Sequence, residues 1–358
     1  MELTQQRIST LAAASLLLAV CLIRIPVPDG QGRALMRFIA EIALCLIFAG
    51  VIWEKVNPWA GAFVALACFS WVLAVFRYSD PDINKAVLLS RDAVLFGAGA
   101  LLFFKISGVN SQVILDAMIV AGIVNLVFLA FQTVGVDPFS VFTLGLMKSS
   151  WAHPTGLMSN KNETSCLFAL VAFACIRENR VKFLIFMVAG LVLARSTGGV
   201  MAFTAGMIFL LAAHGVRLRV LLGWSSLLFF LFVILFDSEV SIAFTERARI
   251  WHLADSWLVE HPLLGIGPGL WSTATTQLHA HNEFLQAWLE FGYLAPVIFV
   301  GYAVSVWRRW ALKAAVPVAA MLAAAVNCAV SFPMHIAPTA LIILAWVGIS
   351  EGCLNEST

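Results

Sequence analysis

The sequence predicts an all-α, polytopic membrane protein with about twelve transmembrane helices, because apolar segments of roughly 20 residues recur along it. Its composition supports this fold class: 61% of the 358 residues are hydrophobic and only 12% are charged. Soluble domains carry about twice that charged fraction. The mean hydropathy is +0.93. We therefore expect a single transmembrane domain over residues 1–358.

The predicted spans are apolar stretches separated by polar turns. They lie near residues 9–25, 36–53, 59–76, 87–104, 112–133, 164–177, 182–194, 198–213, 219–236, 283–305, 313–331 and 336–350. The first is expected to be an uncleaved helix, since it lacks the small-residue cleavage site of a signal peptide. Two connections are long, an outer loop at 134–163 and a larger outer loop at 237–282. The others are short, so neighbouring helices should pack antiparallel.

Cationic segments between the predicted helices set the orientation, because Lys and Arg are retained on the cytoplasmic side. RENRVK (177–182), HGVRLR (214–219) and WRRWALK (307–313) all fall on the same side. This assignment puts both termini in the cytoplasm and both long loops on the outer side. The first half of the chain lacks this bias, because six of its cationic residues fall on the outer side in this scheme: Arg24, Arg33, Arg37, Arg77, Lys85 and Arg91.

Charge and cysteine content exclude several function classes. The formal net charge is +2, and no Lys/Arg run indicates nucleic acid as a partner. The seven cysteines are scattered singly without metal-ligand spacing, as expected of small buried hydrophobic residues. No internal repeat is visible, and the predicted spans are sparsely polar. Both observations disfavour a flippase or transporter, the non-enzyme alternative, which needs polar lining on several helices.

The stretch HAHNEFLQAWLEFGYLAP groups polar residues at the entrance of a predicted span. Asn282 is suited to cap that helix, which leaves His281 at its mouth. Glu283, Gln286 and Glu290 follow at helical spacing and share one face. Glu290 would lie roughly 10 Å below the mouth, where a carboxylate must face a protein interior or a wet cavity. This grouping favours a functional site over an isolated interfacial histidine.

HPLLGIGPG (261–269) is a glycine-rich turn with two interpretations. The backbone of such a turn, here around Gly267 and Gly269, can cradle a phosphate on its N–H groups. No strand precedes it and no P-loop lysine follows it, so a tight re-entrant turn accounts for it equally well. The sequence leaves both interpretations open.

Arginines on the outer side indicate anion binding. Arg247 and Arg249 open the larger outer loop, and Arg195 ends a short apolar span before a glycine pair. The planar guanidinium fork suits phosphate and stays charged. The alternative for a single arginine is snorkelling onto lipid headgroups. Several arginines near one histidine, on the side opposite the cationic loops, favour a functional role.

Histidine and glutamate side chains in or beside the larger outer loop raise a metal site as an alternative. They are His252, Glu260, His261, His279, His281 and Glu283. Zinc would take three or four such ligands. The His279-x-His281 spacing lacks the i, i+4 arrangement of a helical zinc pair. We therefore expect neither a metal nor another cofactor.

These motifs together resemble the O-antigen ligase and O-antigen polymerase superfamily. The family pattern is His followed by Asn, Ser or Gln, nine residues, then Gly-x-x and usually Gly, Thr or Tyr. Here it is His281-Asn282, nine residues, and GYLA from Gly292, so Ala295 departs from the last position. The upstream Arg-x-Trp and Pro-Leu-x-Gly-x-Gly-Pro-Gly elements are also matched. They are Arg249, Trp251, Pro262, Leu263, Gly265, Gly267, Pro268 and Gly269.

Three further segments extend the resemblance over about residues 150–350. GLMSNKNETS (156–165) resembles the family's Gly-x-x-x-Asn-x-Asn segment before a span. ARSTGG (194–199) resembles the arginine-containing end of a mid-chain span, and SFPMHIAP (331–338) resembles the penultimate outer turn.

The resemblance implies a membrane-embedded glycosyltransferase of GT-C-like architecture. The implied reaction is inverting, metal-independent transfer of a glycan from undecaprenyl diphosphate to an acceptor hydroxyl, with lipid A–core as acceptor. It implies His281 as the base that activates the acceptor and Arg195 and Arg249 as diphosphate-binding residues, with Arg247 competing for that role. Supporting positions are Asn282, Glu290, Gly267 and Gly269.

The implied location is the outer, periplasmic face of a bacterial inner membrane, and the implied partners are the lipid-linked donor, the acceptor and membrane lipid. The motifs do not separate the branches of the superfamily. A polymerase passes the glycan to another repeat unit, and a protein O-oligosaccharyltransferase passes it to serine or threonine. Both stay open as alternatives.

Overall fold

The structure is a computed structural model. It describes residues 111–136, 154–158, 160–217, 247–267, 270–271, 280–310, 314–331 and 337–355, with single positions at 66, 138, 220, 223, 226 and 245. These residues contain helices and no strand, which confirms the all-α prediction for this part of the chain. The spans predicted before residue 105 and at 219–236 lie almost wholly outside it. The count of about twelve transmembrane helices, the N-terminal topology and the 1–358 domain therefore stay predictions.

Eight helices have both ends within the described residues. They are α1 (Ser111–Thr133), α2 (Lys161–Arg177), α3 (Val181–Leu193), α4 (Thr197–Ala213), α5 (Glu283–Phe291), α6 (Leu294–Trp310), α7 (Ala315–Val330) and α8 (Ala337–Asn355). A further helical run at 247–260, here called the loop helix, lies inside the predicted larger outer loop. Apart from α6, each of the eight helices begins within three residues of the start of a predicted span.

Among the described helices, only α1 is both long and apolar enough to cross a membrane by length and composition. Shorter apolar helices occur at Val181–Leu193, Thr197–Ala213, Leu294–Ser305, Ala315–Val330 and Thr339–Ser350. These fall below the roughly 20 residues of an upright span. The multi-pass topology stays a prediction.

One predicted span is wrong. The sequence predicts a continuous helix over 283–305, but the chain divides it into α5 and α6. Gly292 ends α5 with a φ of +71°, a left-handed conformation that glycine adopts at no steric cost. The N–H of Tyr293 then donates to the carbonyl of Pro262 at 2.7 Å. The break is therefore held by the loop that precedes α5.

Close glycine contacts show that α2 and α4 run in the same direction. Gly199, at the start of α4, lies against Ser165, and Gly206, two turns later, lies against Phe173. A side chain at either glycine would overlap its neighbour, so the two helices approach closely along their length. Small residues at such contacts are the usual means of close helix packing in membranes.

Helix α7 runs antiparallel to α4. Gly198, at the start of α4, faces Val330, at the end of α7, whereas Gly206 faces Ala319. The described parts of RENRVK and HGVRLR therefore lie at the same end of the bundle as the start of α7, which follows WRRWALK. We call this the basic end, and the opposite end, where α2 and α4 start and α7 finishes, the site end.

The chain returns to the site end of α1 just before α2 begins. Gln132 accepts hydrogen bonds from the N–H groups of Thr155 (2.9 Å) and Gly156 (2.8 Å), and Asn125 accepts one from Leu157 (3.1 Å). Asn125 is fully buried. These side chains bind the backbone N–H groups of 155–157, and this positions the first turn of α2.

Buried apolar residues from α1, α2, α3, α4, α7 and α8 form one core. Trp346 of α8 is fully buried within it and donates from its indole N–H to the Leu170 carbonyl at 3.3 Å. Cys166, Cys175 and Cys328 are free and buried, which confirms for these three the expectation of small core residues.

Candidate active site

The loop helix and α5 share a second, smaller hydrophobic core. Its buried residues are Ile250, Ala254, Ile266, Leu270, Trp271, Ala280 and Leu289. This packing brings the two halves of the 246–296 stretch, which are far apart in sequence, against one another. The described parts of the larger outer loop therefore pack against α5.

The glycine-rich turn uses its backbone N–H groups to pack against α5. Ile266 donates to the carbonyl of Leu289 (2.9 Å), and Gly267 donates to that of Glu290 (3.0 Å). Gly265 has a φ of +65°, and a Cβ there would overlap the backbone of Glu290. These N–H groups are occupied, so a tight turn accounts for this segment and a phosphate cradle does not need to be invoked. Gly269 lies outside the described residues.

His281 has a left-handed backbone, with a φ of +54°. For a non-glycine residue such a conformation costs about 1–3 kcal/mol and persists only where its surroundings impose it. On one side, the Asn282 side chain accepts from the N–H of Leu285 at 3.0 Å and caps α5, as predicted. On the other side, the carbonyl of buried Ala280 accepts from the Trp251 indole at 2.8 Å. The histidine is therefore held from both directions.

The predicted polar face of α5 points inward. Glu283, Gln286 and Glu290 have only 6%, 1% and 1% of their surface exposed. Gln286 donates to the carboxylate of Glu290 at 3.0 Å and accepts from the N–H of Ala280 at 3.0 Å. The face thus supports the backbone next to His281.

Arg247 is buried, with 8% of its surface exposed, and lies close enough to His281 to act on its ring electrostatically. Burial and then the charge of Arg247 lower the pKa of His281 from its ordinary 6.5 to about 4. Burial also lowers the pKa of the Arg247 guanidinium, which nevertheless stays charged because arginine starts so high. At neutral pH this site combines a neutral imidazole with a buried cation.

Arg249 and Arg195 have exposed side chains, unlike Arg247. Arg249 lies on the loop helix, two residues before Trp251. Arg195 connects α3 to α4 with a φ of +50°. Its neighbour Ser196 is buried and donates to Asn162 of α2 at 2.8 Å. Arg195 therefore lies at the site end of the bundle, with its guanidinium available to a molecule outside the protein.

A buried polar cluster that the sequence did not indicate lies at the site end. Glu283 is within electrostatic range of Cys166 in α2 and Cys328 in α7. Glu163, next to Cys166, is 3% exposed, and Asn327, next to Cys328, is 1% exposed. The start of α5 therefore meets the bundle at polar positions. The available signal was a polar residue inside an apolar helix, as at Asn327.

The histidines of the loop do not gather around one point in the described part of the chain. His252 is exposed and lies 3.0 Å from Asp255, and the ring of His261 is 6.1 Å from that of Trp257. His279 lies outside the described residues. Within those residues no three His, Cys, Asp or Glu side chains are arranged to hold a metal ion. The absence of a metal stays a prediction.

Residues 183–300 match the family model described as O-antigen ligase. The matched segment runs from α3 through Arg195, the loop helix, the glycine-rich turn and His281 into α6. It confirms, for this segment, the resemblance found in the motifs. No curated protein matches the chain.

Proposed function

We propose that this chain, whose residues 183–300 carry the O-antigen ligase match, transfers a glycan from undecaprenyl diphosphate to a hydroxyl of lipid A–core. The transfer takes place on the outer face of the bacterial inner membrane and inverts the anomeric carbon. The observation that carries the proposal is His281, a neutral imidazole held in a left-handed conformation beside buried Arg247.

His281 is the general base. An acceptor hydroxyl must lose its proton as its oxygen attacks the anomeric carbon, and a neutral imidazole can accept that proton. Nδ1 of His281 is buried, so the acceptor approaches Nε2. The C–O bond to the acceptor forms while the bond between the anomeric carbon and the diphosphate oxygen breaks, and that electron pair leaves with undecaprenyl diphosphate.

Arg195 and Arg249 stabilise the leaving diphosphate, which gathers negative charge as its bond to the sugar breaks. Preorganised donors aimed at developing charge typically lower a barrier by roughly 3–4 kcal/mol each. Exposed guanidinium groups suit a donor that stays anchored in lipid. Lysine keeps the charge but loses the bidentate fork, so we expect Arg249→Lys to be badly impaired as well. Arg247 acts mainly on His281, which it faces from inside the protein.

A flippase of lipid-linked glycan is less well supported. Such a protein needs a polar route through the membrane, whereas the polar side chains described above gather at the site end and around α5. This distribution favours chemistry on a lipid headgroup at one surface.

The test is glycan transfer by the purified protein from an undecaprenyl diphosphate-linked donor to lipid A–core. His281→Ala should transfer about 10² to 10⁴-fold more slowly, because general-base catalysis contributes that much, yet bind the donor normally. His252→Ala is the matched control, since that histidine is exposed and bound to Asp255, and should transfer at the wild-type rate. A His281→Ala protein with wild-type turnover would overturn the base assignment.

The acceptor is identified in cells that lack the protein. Loss of polysaccharide from lipid A–core identifies a ligase, and single repeat units on the core identify a polymerase. Unchanged polysaccharide with unglycosylated proteins identifies the protein O-oligosaccharyltransferase branch.

A further inference from the structure

We propose that Gln286 is a positioning residue for His281, acting through the backbone of Ala280. The inference rests on the proposed function, because it concerns the placement of the proposed base. Gln286 lies one turn into α5, and its side-chain amide is 1% exposed. It reaches back to the residue that precedes His281, so it joins the rigid helix to the segment carrying the histidine.

Both backbone groups of Ala280 are bound by side chains from different elements. Its N–H donates to Oε1 of Gln286 at 3.0 Å, and its carbonyl accepts from Nε1 of Trp251 at 2.8 Å. Ala280 itself is fully buried. The two peptide units that flank Ala280 are therefore each fixed, the one before it by Gln286 of α5 and the one that enters His281 by Trp251 of the loop helix. This explains how His281 keeps its left-handed conformation.

Glu290 sets the direction in which the Gln286 amide points. A carboxylate accepts hydrogen bonds, so the NH₂ group of Gln286 faces Glu290, with Nε2 3.0 Å from Oε1. The amide oxygen must then face the N–H of Ala280. The chain of contacts runs from the buried carboxylate through an amide to the backbone, and each member has a defined role as donor or acceptor.

This polarity allows a test in which size hardly changes. Gln286→Glu keeps the acceptor that faces Ala280 but places a second carboxylate against Glu290. Two adjacent ionised carboxylates repel each other and disrupt the contact, and a proton that binds between them as the pH falls restores it. Combining Gln286→Glu with Glu290→Gln restores one donor and one acceptor in the reverse order.

We expect Gln286→Glu to lower kcat for transfer roughly 100-fold at pH 7, the scale of a misplaced reacting group, with donor KM little changed. The deficit should shrink several-fold at pH 5, where wild-type transfer is still constant. The combined variant should return to within a few-fold of wild type at pH 7. Wild-type kcat in Gln286→Glu, or no recovery in the combined variant, would overturn the proposal.

Gln132→Glu is the matched control, because Gln132 is also an amide that binds backbone, at Thr155 and Gly156. It should lower thermal stability without the recovery at pH 5. A Gln132→Glu variant that recovers in the same way would show that the pH effect is not specific to the His281 support, and would overturn the proposal.

A second measurement separates positioning from catalysis. Carbethoxylation of His281, followed by mass spectrometry of its peptide, reports on the ring without any transfer reaction. In Gln286→Glu the midpoint pH of this modification should rise, and in the combined variant it should return to the wild-type value. An unchanged profile would overturn the positioning role even if transfer is seen. A shifted profile in a protein that transfers no glycan would support the positioning role while the proposed function fails.

Discussion

Arg247 and Arg249 are two positions apart on the loop helix and meet opposite environments. Arg247 is buried beside His281, whereas Arg249 is exposed. The motif Arg-x-Trp selects Arg249, because its spacing to Trp251 matches the family pattern. Helical geometry turns residues two apart away from each other. The structure therefore places Arg247 where its charge acts on the histidine and Arg249 at the surface of the loop helix.

The pKa of His281, lowered to about 4, predicts the pH dependence of transfer. The imidazole is neutral from pH 8 down to about 5, so transfer should be constant there and fall as the pH drops through about 4. The unfolded chain binds a proton between its ordinary value of 6.5 and 4, and the folded chain does not, so stability is also lost as the pH falls through this range.

Removing the neighbouring charge tests the cause of that shift. Arg247→Met should move the acid limb of the rate profile upward, because one of the two causes of the lowered pKa is gone. Arg249→Met, whose side chain is exposed, is the matched control and should leave the acid limb in place while lowering the rate. An acid limb that stays at its wild-type position in Arg247→Met would contradict the assignment.

The elements show which parts of the fold periodicity can reveal. Continuous apolar runs located α1 to α4, α7 and α8 to within a few residues, because a span must satisfy its backbone within one helix. The same reasoning wrongly predicted α5 and α6 as one continuous helix. The break at Gly292 depends on Pro262, thirty residues upstream, and a local pattern does not report such a contact.

Around His281, too, the sequence predicted the local features but not the tertiary contacts. Asn282 as the cap and the shared face of Glu283, Gln286 and Glu290 follow from helical spacing alone. The two hydrogen bonds to the backbone of Ala280 and the burial of Arg247 depend on packing of the loop helix against α5, which is a tertiary contact. Sequence reasoning therefore predicted that these residues group together and missed the contacts that hold Ala280 and bury Arg247.

The packing of the glycine-rich turn against α5 predicts a large cost for side chains at its glycines. In Gly292→Ala the new Cβ would overlap the backbone of Leu263, in addition to requiring a left-handed alanine. The ψ of −167° at Gly292 places it in a region that is essentially restricted to glycine, where another residue costs on the order of 1–3 kcal/mol. Gly135→Ala is the matched control, since its φ is +83° with nothing within 4 Å of the added atom.

Thermal unfolding in detergent should therefore show a clearly larger loss for Gly292→Ala than for Gly135→Ala. Equal losses would mean that only the backbone conformation matters and that the contact between the turn and the end of α5 adds nothing. The rate of glycan transfer should also fall more in Gly292→Ala than in Gly135→Ala, because that contact supports the helix carrying Gln286.

The arrangement of the described helices predicts one orientation in the membrane. The basic end and the site end lie at opposite ends of the α2, α4 and α7 bundle, so retention of the cationic segments in the cytoplasm places His281 outside. Reporter fusions at residue 260 and at the C-terminus should report an outer loop and a cytoplasmic terminus. An outward C-terminus would reverse the placement of the site.

Metal independence is a prediction that concerns the complete protein. The loop histidines have poor spacing for zinc, and the proposed mechanism needs only protein side chains. Transfer in detergent should therefore survive EDTA at the untreated rate. Loss of activity that one divalent ion restores would replace the arginine-based account with a metal-based one.

The hydrogen bonds between the turn and α5 bear on how deep an interrupted helix can lie. Within hydrocarbon, each carbonyl left open at a helix end costs several kcal/mol, and water is not there to satisfy it. Here the chain itself supplies the partners. The N–H groups of Ile266, Gly267 and Tyr293 donate to the carbonyls of Leu289, Glu290 and Pro262, respectively. The interruption can thus lie at hydrocarbon depth without water, and under the proposed function a lipid-anchored donor need not be lifted out of the bilayer to react.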